Sequence, residues 1–91
     1  MRETTFIDYS TEIDKLAKGL EERGIKFERR RLYSGYQIVA DGWDAVCHEY
    51  SYGHESGLLE VMGRKVMDPH MLDSVEGYLK AGTILQRLDE G

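Results

Sequence analysis

Several things are scarce in this chain, and each scarcity excludes something. One cysteine among 91 residues leaves no partner for an internal disulfide, which points to a reducing, intracellular setting. No stretch approaches the roughly 20 apolar residues of a membrane span. The opening MRETTFIDYS also lacks the apolar run of a signal peptide, so no membrane and a cytoplasmic location are expected. Positive charge is in deficit. Lys and Arg number 12 against 17 Asp and Glu, and the net charge of −5 opposes non-specific attraction to nucleic acid or to an anionic membrane. Direct nucleic-acid binding is therefore not expected.

What is present is enough to fold. Hydrophobic residues make up 41% of the chain and there are six tyrosines, a composition that argues against a disordered polymer. At this length residues 1–91 form a single domain. A chain so short buries only roughly 60 to 65% of its unfolded surface, so self-association into a homo-oligomer is a source of stability to be considered.

Apolar periodicity lays out the order of elements. Phe6 and Ile7 form either a short strand or an apolar clip. From Ser10 to Arg23, the residues Ile13, Leu16, Ala17 and Leu20 recur at helical spacing, with Ser10 or Thr11 placed to cap and Gly24 placed to terminate. Three segments rich in aromatic and β-branched residues follow, 25–33, 36–40 and 43–52, separated by Ser34-Gly35 and Asp41-Gly42. They predict a three-stranded antiparallel meander. Alternation puts Phe27, Arg29, Arg31 and Tyr33 on one face of the first strand. In the third it opposes Val46, His48, Tyr50 and Tyr52 to Trp43, Ala45, Cys47 and Glu49. Both faces are mixed, so the pattern does not tell which one a helix covers. Leu58 to Met62 reads as a short helix or a fourth strand. Residues 64–74, with the one proline Pro69, read as a polar connection anchored by Met67, Met71 and Leu72. Ala81, Ile84, Leu85 and Leu88 then mark a C-terminal helix. The fold class is α+β.

Chemistry concentrates between Trp43 and Gly63. Cys47, His48, Glu49, His54, Glu55 and, beyond that stretch, His70 offer metal-ligating atoms. The spacing does not make a helical HExxH pair, and Cys47 and His48 point to opposite faces of a strand, so no metal site is expected. Asp44 and Glu49 lie near Cys47 in sequence and would raise its thiol pKa, which favours a packing role over a nucleophilic one. Ser51 or Ser56 with His54 as base lacks any oxyanion-hole or elbow sequence. No cofactor fingerprint is present, and the expectation is a protein that is not an enzyme, with a metal-assisted hydrolase around His48 and His54 as the least favoured alternative.

The turn SYGHESG carries the most binding chemistry. Gly53 and Gly57 allow backbone amides to converge on an anion, and a helix start near Ser56 would add to that concavity. Tyr50, Tyr52 and Trp43 offer faces for a stacked base, His54 a donor, and Arg29 and Arg31 positive charge. Those residues make a candidate site for a small anionic or nucleotide-like ligand. The alternative reading of the turn is glycine and serine shaping a bend and aromatics filling a core. The acidic balance supports a different class, a protein-interaction inhibitor that blocks a basic, nucleic-acid-binding site on another protein, although the carboxylates are spread along the chain. The α-β-β-β-α order is that of the double-stranded-RNA-binding fold, but the final helix, ILQRLDEG, lacks the basic end that fold places on phosphate.

The stretch DGWDAVCHEYSYGHESGLLEVMG, followed by VEGYLKA, resembles small uncharacterised proteins of phages and prophages of Gram-positive bacteria, over about residues 36–88. The resemblance implies an accessory, non-enzymatic protein of the bacterial cytoplasm during infection, of the kind that counters host defence by binding. It assigns no site residue.

Overall fold

A computed structural model describes residues 8–91, and the Phe6–Ile7 segment lies outside the described residues. Helix α1 (Thr11–Glu22) is followed by strands β1 (Phe27–Leu32), β2 (Gly35–Ala40), β3 (Trp43–Cys47), β4 (Leu59–Met62) and β5 (Glu76–Leu79), and helix α2 (Ala81–Glu90). The five strands form one antiparallel sheet in sequence order. The fold class is α+β, as the periodicity predicts. Leu59–Met62 resolves as a strand rather than a helix, and β5 is an additional strand that the sequence pattern does not predict. Among the described residues no helix is long and apolar enough to cross a membrane.

Both helices lie on one face of the sheet. The register pairs Ile38 with Ala45 and Ala45 with Val61, and these side chains meet Ile13, Leu16 and Leu20 of α1 and Ile84 of α2 in a single core. The helices therefore cover the face that carries Trp43, Ala45 and Cys47. The opposite face is polar along its centre. Arg30 Nε donates to Gln37 at 3.0 Å, and Gln37 Nε2 donates to Asp44 at 2.8 Å, a ladder across β1, β2 and β3.

Polar contacts lock the helices in place. Ser10 precedes α1 but makes no side-chain cap; its hydroxyl and amide both donate to Asp8 instead. The cap of α2 comes from α1. Buried Glu12 accepts the Ala81 N–H at 2.7 Å, joining the first helix to the second across 69 positions. Gly19 leaves room for α2, since a Cβ there would stand 2.3 Å from Leu85 Cδ1. Arg87 binds Glu76 and the Val66 carbonyl, each at 2.8 Å, tying α2 to the β4–β5 connection.

Two local expectations change. The β1–β2 turn consists of Tyr33-Ser34, not Ser34-Gly35, because Leu32 pairs with Gly35. Gly35 belongs to the strand for a steric reason: a Cβ there would fall 1.9 Å from the Cys47 carbonyl oxygen. The Asp41-Gly42 turn forms as predicted, with Gly42 at φ 87°. In the 63–75 connection the anchor is Val66, which is fully buried and joined by partly buried Met67, whereas Leu72 is 99% exposed.

Candidate functional site

One end of the sheet gathers the aromatic surface. The β1–β2 turn, the 48–58 connection and the end of β5 all lie there, because Tyr36 pairs with Cys47 and Leu59 pairs with Leu79. β3 stops at Cys47, so strand alternation does not continue through Tyr52. Residues 48–53 instead fold as turns, followed by a single 3₁₀ turn at His54–Ser56. Tyr33, Tyr50, Tyr52 and Tyr78 project from these connections with 65, 71, 62 and 56% of their surface exposed. Exposure at that level for four large aromatic side chains is not core packing.

Each tyrosine-bearing segment is held in place by a polar partner. Glu49 accepts the Ser34 amide at 2.9 Å and the Ser34 hydroxyl, which fixes the turn carrying Tyr33. Glu60 accepts the Tyr52 amide at 2.8 Å, and Glu55 accepts the Tyr78 hydroxyl at 2.6 Å. The Tyr50 amide donates to Nδ1 of buried His48 at 3.1 Å. The rings interlock as well. Tyr33 meets His48 and Tyr50 edge-to-face at centroid distances of 4.9 and 5.0 Å.

Tyr33 and Tyr78 are the two non-glycine residues at positive φ among those described, at 54° and 60°. Side chains bearing a Cβ pay roughly 1 kcal/mol or more for that conformation. Here both are exposed tyrosines on the same surface, and both are restrained by a carboxylate.

These bonds set local ionisation. The Ser34 hydroxyl, then its amide, hold Glu49 below the ordinary carboxylate value of 4.5, and the Tyr78 hydroxyl does the same for Glu55. A lowered native value stabilises the folded arrangement above pH 4.5, and that contribution is lost as pH falls through the depressed value. Tyr78 is raised by its bond to Glu55.

The residues singled out from sequence are only partly brought together. Tyr50, Tyr52, Gly53, His54, Ser56 and Gly57 share the aromatic end. Trp43 is buried at the far end of β3, roughly 13 Å away along the strand. Arg29 reaches α1, with Nη1 2.7 Å from Asp14 Oδ1, and its guanidinium stacks on Tyr36 at 4.9 Å. Arg31 stacks on the same ring at 5.2 Å, two strands from Cys47.

Gly53 and Gly57 do adopt the left-handed conformation, at φ 98° and 71°. Most of the turn amides, however, are used internally. Ser51 N–H donates to the His48 carbonyl, His54 to Ser51, Ser56 and Leu58 to Gly53, and Gly57 to His54. The Ser51 hydroxyl donates to the His48 carbonyl at 2.9 Å, and His54 Nδ1 faces the Ser51 carbonyl at 2.6 Å rather than that hydroxyl. Sequence reasoning missed Tyr33 and Tyr78. A tyrosine immediately before Ser-Gly, and another just after Glu-Gly, were the signals.

Among the described residues no three His, Cys, Asp or Glu side chains converge as a metal-binding group. Cys47 is fully buried, and burial, with the charges of Asp8 and Glu12 adding to it, pushes its thiol up to about 11. Native Cys47 should therefore resist alkylation at pH 8 and react once the chain is unfolded. A raised native pKa stabilises the fold fully below the ordinary thiol value of 9.0 and is lost as pH rises toward about 11. Thermal midpoints measured from pH 8 to 11 should fall more steeply for the wild type than for Cys47→Ala; equal slopes would contradict this assignment.

Comparison of the chain with models of protein families, with curated proteins and with solved structures finds no match.

Proposed function

We propose that this chain is a non-catalytic protein-binding domain whose tyrosine-bearing end seats a basic surface of a partner protein. The observation that carries the reading is the set of four exposed tyrosines, each on a segment fixed by Glu49, Glu55, Glu60 or His48. Tyrosine supplies large contact area at low entropic cost and is enriched where binding energy concentrates. Fixing the segments beforehand reduces the ordering cost of association. The interleaved carboxylates select the partner's charge. Arginine and lysine can bond to the carboxylates and lie over the tyrosine rings, and the net charge of −5 favours the same partner at long range.

Under the resemblance to phage proteins, the partner is a host factor whose nucleic-acid-binding surface is occluded. Sequestration of a nucleotide-like ligand in the 50–57 turn draws less support, since most of the turn's amides are engaged within the chain.

Charge-steered association has a kinetic signature. The Debye length shortens from about 30 Å at 0.01 M salt to about 8 Å at 0.15 M. The association rate with the partner should fall by about tenfold or more over that range. Stopped-flow measurement checks it, and a rate indifferent to salt would remove the electrostatic part of the proposal.

A further inference from the structure

A groove of about 560 Å³ opens at the tyrosine-bearing end, where the 48–58 connection meets β5. Backbone contact sets its position. The Tyr78 amide donates to the Tyr52 carbonyl at 3.3 Å, and Gly77 lies so close that a Cβ there would stand 2.3 Å from Tyr52 Cβ. Tyr52 and Tyr78, both exposed, thereby line one groove, and the segment leading into β5 adds Met71, Asp73, Val75 and Glu76. Tyr33 and Tyr50 pack on other rings, but Tyr52 and Tyr78 meet no aromatic ring or guanidinium among the described residues. Their faces are uncommitted.

The lining holds two carboxylates and no Lys, Arg or His. Glu76 is neutralised by Arg87, which donates to its two oxygens at 2.8 and 3.3 Å. Asp73 is exposed and has no cation within 4.0 Å among the described residues. Counting the surroundings does not reverse the sign. Glu55 and Glu60 hold the two tyrosine segments, and Asp68 accepts the His70 amide in the same connection as Asp73. Against these and the two lining carboxylates stand Arg87, Lys80 after β5, and Arg64, which shares the adjoining cavity with Asp73 without pairing to it. With histidine counted as neutral, negative charge is in excess, and Asp73 is its uncompensated centre beside two open aromatic faces.

We infer that this groove receives a single arginine side chain of the partner protein. The inference rests on the protein-binding role proposed for the tyrosine-bearing end and narrows it to one residue type and one carboxylate. The guanidinium lies over a tyrosine ring and forks onto Asp73, while the methylene stem covers Met71 and Val75. Arginine fits better than lysine because its planar group stacks by its face and bonds by its edge at the same time, and it is the more weakly hydrated of the two cations.

The test titrates the isotope-labelled full chain with N-acetyl-arginine amide and follows backbone amides by nuclear magnetic resonance. The neutral isostere N-acetyl-citrulline amide and the equally charged N-acetyl-lysine amide are the comparison probes. The arginine probe should shift the Asp73, Gly77 and Tyr78 amides saturably and bind about tenfold tighter than citrulline and about threefold or more tighter than lysine. Asp73→Asn should weaken it about tenfold and Tyr52→Leu by about threefold, whereas Asp41→Asn at the opposite end of the sheet should not. Unchanged amide positions away from the groove establish that each variant is folded. No saturable shift, equal binding of citrulline or lysine, or indifference to Asp73→Asn would overturn the inference. If any of these occurs while partner binding still depends on Tyr33 and Tyr78, the arginine assignment falls and the tyrosine-bearing end stands as a binding surface.

Discussion

Gly35→Ala is expected to destabilise the fold by about 3 kcal/mol, the upper end of the usual cost of overpacking. The added methyl would lie 1.9 Å from the Cys47 carbonyl oxygen and 2.8 Å from His48 Cα, and both are backbone atoms. No rotamer change relieves that contact. β2 and β3 must separate locally, at the place where Tyr36 pairs with Cys47 and where the tyrosine-bearing connections begin. For a domain of this size the thermal midpoint should drop by roughly 12 to 24 °C. Gly82→Ala is the matched control. A Cβ at Gly82 meets nothing within 4 Å inside α2, and alanine should stabilise that helix by up to about 1 kcal/mol. Thermal denaturation of the two variants checks both signs, and a Gly35→Ala midpoint within a degree of the wild type would mean that this hairpin is packed differently.

The same glycine illustrates what the sequence can and cannot tell. Helices α1 and α2 were legible because their apolar residues recur at helical spacing and nothing local competes with that signal. The Asp41-Gly42 turn was legible because the glycine is needed at φ 87°. Ser34-Gly35 looks like the same signal, but Gly35 is present for want of space beside β3, a tertiary reason with no local trace. The turn falls on Tyr33, a residue that turn chemistry disfavours.

β5 was hidden for a related reason. It is four residues long, its pairing with β4 is irregular between Leu59 and Val61, and it carries Tyr78 in a left-handed conformation. The candidate residues within the 50–57 turn stand together because they are contiguous in sequence. Trp43, Arg29 and Arg31 were attached to that turn by chemical type alone; register puts Trp43 at the far end of β3, Arg29 bonds to Asp14 of α1, and Arg31 stays near the tyrosine-bearing end but two strands from Cys47, with its guanidinium over Tyr36. Tyr33 and Tyr78 escaped because their significance lies in backbone strain and restraint by Glu49 and Glu55, which a linear reading does not expose.

Removing those two tyrosines should separate binding from stability. Tyr33→Gly and Tyr78→Gly relieve a positive-φ cost of roughly 1 kcal/mol each; the first loses aromatic contacts worth about 0.5 to 1.5 kcal/mol and the second an exposed hydrogen bond to Glu55, so net stability should stay within about 1 kcal/mol of the wild type for each. Partner affinity should behave differently. Tyrosines at the centre of an interface typically contribute about 2 kcal/mol or more, close to thirtyfold in Kd for each one removed. A residue retained only for folding would show the reverse, a loss of stability with binding intact.

The most direct measurement is therefore affinity capture from cells that naturally express this chain, with recovered proteins quantified by mass spectrometry. The wild type, the Tyr33→Gly/Tyr78→Gly double variant and Lys26→Gln, a control at the opposite end of the sheet, would be compared side by side. The account predicts a partner with a basic surface, recovered by the wild type and by Lys26→Gln and depleted by at least about tenfold with the folded double variant. Recovery of the same protein in equal amount by the double variant would contradict the assignment of the tyrosine-bearing end as the binding surface.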